Sequence, residues 1–405
     1  MGQTGANQTP GGMPVGTVVI TGGGTGGHLI PGLAVARELV ARGVGRIVFV
    51  GAERGVERTL VPAAGFDLEL VRIGGLKGAG WRKTWQTLRE LPKAVMQCRR
   101  ILRETQAPVV LGIGGYASGP MLLAAARAGR GVVLLEINAR AGLANRLAAR
   151  WADAAAVTFP ETARQLRRAV VTGVPVRAAF FGVGERPAPA GGILVFGGSQ
   201  GARAINQAMV AAARIWNAKG AQLAVTHQTG AGEYNRVLDS YRQAGIAVRG
   251  GPEAAAITGE DQGVIVRPFI EDMAEAMARA AVVVSRSGAS TLGELAAAAR
   301  PAVLIPLPSA ADQHQLRNAR AFEASGAAMV LEQRELSGER LAAVIEELLA
   351  APERRAAMGR AARGWARPGA AAAIADLVLA TASRHSRATP PAAAVVVPPG
   401  REERL

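Results

Sequence analysis

The 405-residue sequence contains a single cysteine, Cys98, which excludes a disulfide framework and any cysteine-rich metal site. Its four histidines are scattered and form no zinc-ligand motif. Aromatic residues make up only 4% of the chain, so the core must be built from Ala, Val, Leu and Ile. No apolar stretch reaches the roughly 18 residues that would span a bilayer. The best candidate, after Pro120, is broken by Arg127 and Arg130. The first basic residue is Arg37, so no charged region precedes an apolar run and no secretory signal is expected. These absences point to a cytoplasmic chain, with a membrane surface within reach.

At roughly 150 residues per domain, the length predicts two domains or three. Hydrophobic residues at 49%, charged residues at 19%, 51 Gly and 22 Pro exclude bulk disorder, collagen and coiled coil. The net charge of +16 attracts phosphate, whether in nucleic acid, anionic lipid or a diphosphate substrate. Genome base composition is another source of such an arginine surplus, and charge alone does not choose among these.

Residues 1–15 read as a disordered leader. A strand (18–21) then enters the glycine loop 22–28, followed by a helical pattern. Further short apolar strands fall at 46–51, 109–115, 131–136 and 154–159, with an apolar segment at 120–128. Strands alternating with helices predict an α/β fold with a parallel sheet covered on both faces. The pattern stops near residue 181, and 182–192 reads as a Pro/Gly linker. At 193–209 the strand, glycine loop and helix begin again, with strands at 221–226, 263–266, 281–285 and 302–306. Residues 338–382 look helical, and the Arg/Pro/Ala-rich tail from 384 reads as disordered. The expected domains are 16–181 and 193–383, with the last helices able to pack back on the first.

A glycine loop between strand and helix aims backbone N–H groups at a ligand phosphate from the positive end of a helix. Gly22, Gly24 and Gly27 satisfy G-x-G-x-x-G, and Glu53 could serve as the acid of a dinucleotide site. The same glycines could instead serve only a tight turn. Further loops at 112–115 and 197–201 suggest a cleft between two such domains.

Six ordered segments carry a resemblance: GGGTGGHLIPGLAVARELVARG, LGIGGYASGP, AGLANRLAA, GVPVR, VFGGSQGARAINQ and SRSGASTLGELAAAARPAVLIPLPSAADQHQLRNA. Together they resemble the MurG family of peptidoglycan N-acetylglucosaminyltransferases, from about Val18 to residue 380. The resemblance implies the GT-B fold, two Rossmann-like domains facing a central cleft. It implies transfer of N-acetylglucosamine from UDP-N-acetylglucosamine to the C4 hydroxyl of lipid I, giving lipid II, with no cofactor and no metal. Carried over by position, Ser199 lies at the UDP phosphates and Ile270 meets the uracil edge through its backbone. The N–H groups of Ala289, Ser290, Thr291, Leu292 and Gly293 face the diphosphate, and Glu294 accepts both ribose hydroxyls. His314 and Gln315 contact the sugar, with Gln315 favoured for the family's key glutamine. Thr25, Gly26, Gly27, Asn138 and Arg177 match donor-contact positions of the first domain. The sequence departs from the family at Leu135, Ile137 and Val174, where polar residues are usual; Glu136 and Asn138 remain.

The chain lacks the Asp-x-Asp motif that metal-dependent transferases commonly use, so helix N-termini and Arg177 are left to neutralise the leaving diphosphate. His28 is the first candidate for the base, because an imidazole titrates near neutrality. Glu136 is the second, as base or as the group orienting His28. Trp81, Trp85 and Leu88 share a helical face among basic residues. They suit an anionic membrane surface, which implies a peripheral protein on the cytoplasmic face of the cell membrane. Packing of these residues inside the first domain is the alternative. Lipid I, the membrane and other cell-wall synthesis proteins are the expected partners, with no nucleic acid. The competing functions are another GT-B enzyme (a glycolipid glycosyltransferase or a UDP-N-acetylglucosamine 2-epimerase), an NAD(P)-dependent oxidoreductase, and a catalytically weakened nucleotide-sugar-binding protein.

Overall fold

The computed structural model describes residues 15–24, 26–53, 55–72, 81–186, 190–221, 224–251 and 263–388, excepting the side chains of 81–89, 387 and 388. The first half runs β1 (Thr17–Thr21), α1 (Gly26–Ala41), β2 (Arg46–Ala52), α2 (Glu57–Ala63), β3 (Asp67–Val71), α3 (Trp81–Thr105), β4 (Val109–Gly112), α4 (Ser118–Arg127), β5 (Gly131–Glu136), α5 (Leu143–Ala148), β6 (Ala154–Val157), α6 (Pro160–Ala163), β7 (Ala169–Val171) and α7 (Ala178–Gly184). The second runs β8 (Ile193–Phe196), α8 (Arg203–Ala218), β9 (Ala224–Gln228), α9 (Tyr234–Gln243), β10 (Val248–Gly250), β11 (Gly263–Arg267), α10 (Met273–Ala278), β12 (Val282–Ser285), α11 (Ala289–Ala298), β13 (Ala302–Leu304), α12 (His314–Ala324), β14 (Ala328–Val330), α13 (Gly338–Ala350), α14 (Pro352–Arg363) and α15 (Ala370–Ala388).

Each half forms a parallel sheet, in the orders β3-β2-β1-β4-β5-β6-β7 and β10-β11-β9-β8-β12-β13-β14. The central strands read as unbroken Val, Ile, Leu and Ala runs because helices cover both faces. Strand order reverses between β1 and β4 and again between β8 and β12, which opens a crevice at the carboxyl ends of those strands. All the glycine loops lie there.

The halves are tied together in two places. Helix α15 returns to the first sheet and buries Ile374, Ala375, Val378 and Ala382 against its core. Phe159, from the first half, is buried in the core of the second, and Trp365 lies 5.3 Å from its ring and 5.8 Å from that of Phe322. Two expected boundaries differ from what is observed. Helix α7 occupies residues 178–184 and so takes the start of the expected linker, and α15 continues to Ala388, past the expected end at 383.

Candidate active site in the cleft

The first glycine loop follows β1. Gly22 has φ +136°, and a Cβ there would lie 2.2 Å from the Gly114 carbonyl oxygen, so the first two glycine loops interlock through bare backbone. A buried carboxylate fastens them: Glu57 accepts the Gly24 and Ala52 N–H groups, each at 3.0 Å. Glu53, the acid a dinucleotide site would need, instead pairs with Arg72 at 2.8 Å on the surface. Thr25 lies outside the described residues.

His28 sits in the first turn of α1, its imidazole against the second glycine loop; a Cβ on Gly114 would lie 3.0 Å from Nδ1. Burial pushes its pKa below the ordinary value, opposed by Glu136, while His314 pushes it lower. The Ile113 backbone also pulls it up, although Nδ1 has no hydrogen bond of normal geometry among the described residues. The ring is therefore neutral at pH 7 with an unsatisfied nitrogen.

Glu136 ends β5 and is buried. Its Oε1 accepts from the Asn138 N–H and Nδ2, both at 3.1 Å; its Oε2 accepts from the Gly142 N–H at 2.8 Å and Asn145 Nδ2 at 3.0 Å. Four donors occupy both oxygens, so the carboxylate fastens this loop while acting electrostatically on His28, which suits the orienting role expected of it better than that of base. Asn138 is not a free donor contact either. Its Oδ1 accepts from Asn318 Nδ2 at 3.2 Å, and Asn318 Oδ1 accepts the Ala139 N–H at 2.8 Å, so this buried amide straps the domains together.

The second domain supplies α11, whose N-cap is Gly288. Ser290 Oγ donates to the Gly27 carbonyl at 3.2 Å, so the N-termini of α1 and α11, one from each domain, meet in the cleft. The unpaired first-turn N–H groups and positive dipole end of a helix N-terminus favour an anion. Not every expected position contributes. The Leu292 N–H already donates to Gly288, and its side chain is core. Ala289 is buried against the first-domain core. Gly293 serves packing, because a Cβ there would lie 2.3 Å from Val174. Ser290 and the half-buried Thr291 stay at the cleft.

Glu294 lies one turn further on, its side chain 22% exposed and 3.7 Å from Arg177. Burial raises its pKa to about 7, against the pull of Arg177. The Arg177 guanidinium also stacks 4.9 Å over Phe180. Ser199 is exposed in the loop after β8. The Ile270 N–H donates to Gln228 Oε1 at 2.8 Å, which leaves only its carbonyl for a base edge; Gln228 Nε2 donates to Gly198 O at 3.0 Å. The two residues before α12, Asp312 and Gln313, both have φ +53°, a strained turn that presents His314. His314 Nδ1 donates to Ala311 O at 2.7 Å, which leaves Nε2 as the ring nitrogen for a ligand. Gln315 Oε1 accepts the Leu307 N–H at 3.0 Å, so this glutamine has only its amide N–H groups to offer a sugar.

Leu135, Ile137 and Val174, the departures noted above, are all buried in the first-domain core, and Val174 also reaches the interdomain seam, where it packs on Gly293 and lines a small cavity with Ala289 and Leu292. Trp81, Trp85 and Leu88 belong to α3, but their side chains lie outside the described ones. Glu57, Gln228, Asn318 and Arg286 escape sequence reasoning. Arg286, buried just before α11, donates to the Ile305 and Pro306 carbonyls and to Gln333 Oε1.

Below the third glycine loop, His227 Nδ1 accepts from the Tyr241 hydroxyl at 2.9 Å and Nε2 donates to Asn206 Oδ1 at 3.1 Å. Asn206 Nδ2 then bonds the Thr229 carbonyl. Burial lowers the His227 pKa to about 3. The unfolded chain takes up this proton near pH 6.5, so stability is full above that pH and declines by about 1.4 kcal/mol per pH unit down to about 3. Denaturant unfolding at pH 5 and 7 should show that loss in the parent and a smaller one in His227→Gln; equal slopes would remove His227 as the cause.

The model of the glycosyltransferase family 28 N-terminal domain matches residues 18–157, and that of the C-terminal domain matches 192–377. The chain is 45% identical over 366 residues to the UDP-N-acetylglucosamine–N-acetylmuramyl-(pentapeptide) pyrophosphoryl-undecaprenol N-acetylglucosamine transferase of Anaeromyxobacter sp. (strain Fw109-5), covering 89% of this chain and 92% of that one. The transferase of the same name from Solibacter usitatus is 42% identical, with 89% and 94% covered. The crystal structure of Acinetobacter baumannii MurG superposes with a TM-score of 0.72 at 28% identity, covering 90% of this chain and 99% of that one. A putative UDP-N-acetylglucosamine 2-epimerase from Listeria monocytogenes shares the fold, with a TM-score of 0.59 at 14% identity and 95% and 100% covered.

Proposed function

The chain belongs to the MurG family of UDP-N-acetylglucosamine–N-acetylmuramyl-(pentapeptide) pyrophosphoryl-undecaprenol N-acetylglucosamine transferases, within glycosyltransferase family 28, and from that premise we propose how its cleft performs the transfer. It is a GT-B enzyme that moves N-acetylglucosamine from UDP-N-acetylglucosamine to lipid I, forming lipid II. The observation that carries the mechanistic reading is the meeting of two helix N-termini at Ser290 and Gly27.

The UDP diphosphate lies between those N-termini, with Ser199 and the α8 glycine loop behind it, and preorganised N–H dipoles stabilise the leaving charge. Glu294 gives up Arg177 for the ribose hydroxyls, and Arg177 turns to the diphosphate. The Ile270 carbonyl takes the uracil N–H. His314 Nε2 and the Gln315 amide hold the sugar. His28 takes the proton from the acceptor hydroxyl as it attacks the anomeric carbon, and the fixed charge of Glu136 favours the imidazolium that forms. A single displacement inverts the α-linked donor to a β-linked product. UDP should raise the melting temperature and NADH should leave it unchanged. Stabilisation by NADH and not by UDP would overturn this reading.

The acceptor is a polyprenyl diphosphate held in a bilayer, so the enzyme docks on the anionic cytoplasmic face as a peripheral protein. Among the described residues no helix is long and apolar enough to cross a membrane. Trp81, Trp85 and Leu88 on α3 form one contact. A Trp81→Ser/Trp85→Ser variant should lose salt-sensitive binding to anionic vesicles while keeping UDP affinity; unchanged vesicle binding would remove this face.

A further inference from the structure

Gln228 closes β9 and is only 2% exposed. Its strand lies between the two whose exits build the donor site. Gln228 pairs with Phe196 at the end of β8 on one side and with Arg267 at the end of β11 on the other. Strand β8 runs into the glycine loop 197–201, and β11 runs into Pro268, Phe269 and Ile270. One amide bridges the two exits: Oε1 accepts the Ile270 N–H at 2.8 Å, and Nε2 donates to the Gly198 carbonyl at 3.0 Å. The partners fix which end is which, because turning the amide over would set donor against donor and acceptor against acceptor.

Backbone contacts already bring these loops close. The Thr229 N–H donates to the Arg267 carbonyl at 3.0 Å, and the Gly230 N–H to that of Pro268 at 3.1 Å. A Cβ on Gly201 would lie 1.8 Å from the Thr229 carbonyl oxygen. What the amide adds is the setting of two peptide planes. A trans peptide points its C=O and N–H in opposite directions. Holding the Gly198 carbonyl against Gln228 therefore turns the Ser199 N–H away from the strand, on the side of the proposed diphosphate. At the other exit the Ile270 side chain is core, so its backbone is what a base reaches, and the held N–H fixes the plane that leads into its carbonyl.

We propose that Gln228 is a positioning residue for the donor, acting through the loops and not on the ligand. Its single amide keeps the base loop and the diphosphate loop in the register that a nucleoside diphosphate needs. A ligand that spans both loops gains from this preorganisation; one that reaches only the base loop does not. The inference rests on the reading that this cleft binds UDP-N-acetylglucosamine.

Calorimetry with UDP and with uridine tests it, the quantity read being the factor by which UDP binds more tightly than uridine. Gln228→Met, similar in shape but with neither hydrogen bond, should shrink that factor by about tenfold. Gln228→Asn keeps the amide, is one methylene too short to hold both partners, and should shrink it too. The KM for UDP-N-acetylglucosamine should rise in both, while that for a soluble lipid I analogue stays near the parent value. Leu341→Ala, a change in the core of the same domain, should lower the melting temperature and leave the factor as it is, so lost stability does not imitate the effect. A parent-like factor in Gln228→Met, or in Gln228→Asn where methionine unfolds the domain, would overturn the role of Gln228 alone. A parent that does not bind UDP would overturn the donor reading beneath it.

Discussion

A His28→Ala variant should lose about 10²- to 10⁴-fold in kcat, the usual effect of removing a general base. Its UDP affinity should stay near that of the parent, because the proposed donor contacts lie mainly in the second domain. Burial holds the imidazole below its ordinary pKa, so it is already neutral at pH 7. The parent rate should therefore stay level through neutrality and fall only in acid, and that acid limb should vanish in the variant. Single-turnover kinetics with a soluble acceptor from pH 5 to 8 measures both. A near-normal kcat in His28→Ala would place the base elsewhere.

Replacing Glu294 by alanine should weaken UDP binding about tenfold to a hundredfold, since charge-assisted hydrogen bonds contribute roughly 1.5–3 kcal/mol. The pH dependence gives a second readout. The Glu294 carboxyl titrates at about 7, and accepting two hydroxyl groups favours its ionised form. UDP affinity in the parent should therefore fall as pH drops below about 7, with a proton released on binding, and Glu294→Ala should lose that slope. The same raised pKa means that the group stabilises the fold in acid and loses that contribution as pH rises through about 7. Glu294→Gln should accordingly be more stable than the parent at pH 8, while binding UDP less well. Calorimetry at pH 6 and 8 decides: unchanged affinity and slope in the alanine variant would remove Glu294 from the ribose.

The doubly wound architecture was legible because the central strands, such as VVIT and ILVF, are continuous apolar runs between glycine loops. The edge strands β3, β7, β10 and β14 were not. They are short and, apart from β14, expose alternate or all residues, so pairing to a neighbour defines them more than their composition does. The site divides in the same way. Glycine loops and the first turn of α11 carry their chemistry in local sequence. Glu57, Gln228 and Asn318 act on backbone 33, 42 and 179 residues away, and nothing near them in the chain marks that role. The resemblance also left out how positions are spent. Leu292 and Gly293 lie in the donor segment but serve α11 itself and the seam with Val174, and Asn138 is absorbed by the strap to Asn318.

The most direct test is turnover of UDP-N-acetylglucosamine with a short-chain lipid I analogue, with product stereochemistry read by NMR, in the parent and in His28→Ala. The cleft described here predicts a β-linked disaccharide product from the parent and a rate lower by about two orders of magnitude or more in the variant. UDP release without disaccharide, an α-linked product, or equal rates in the two proteins would contradict it.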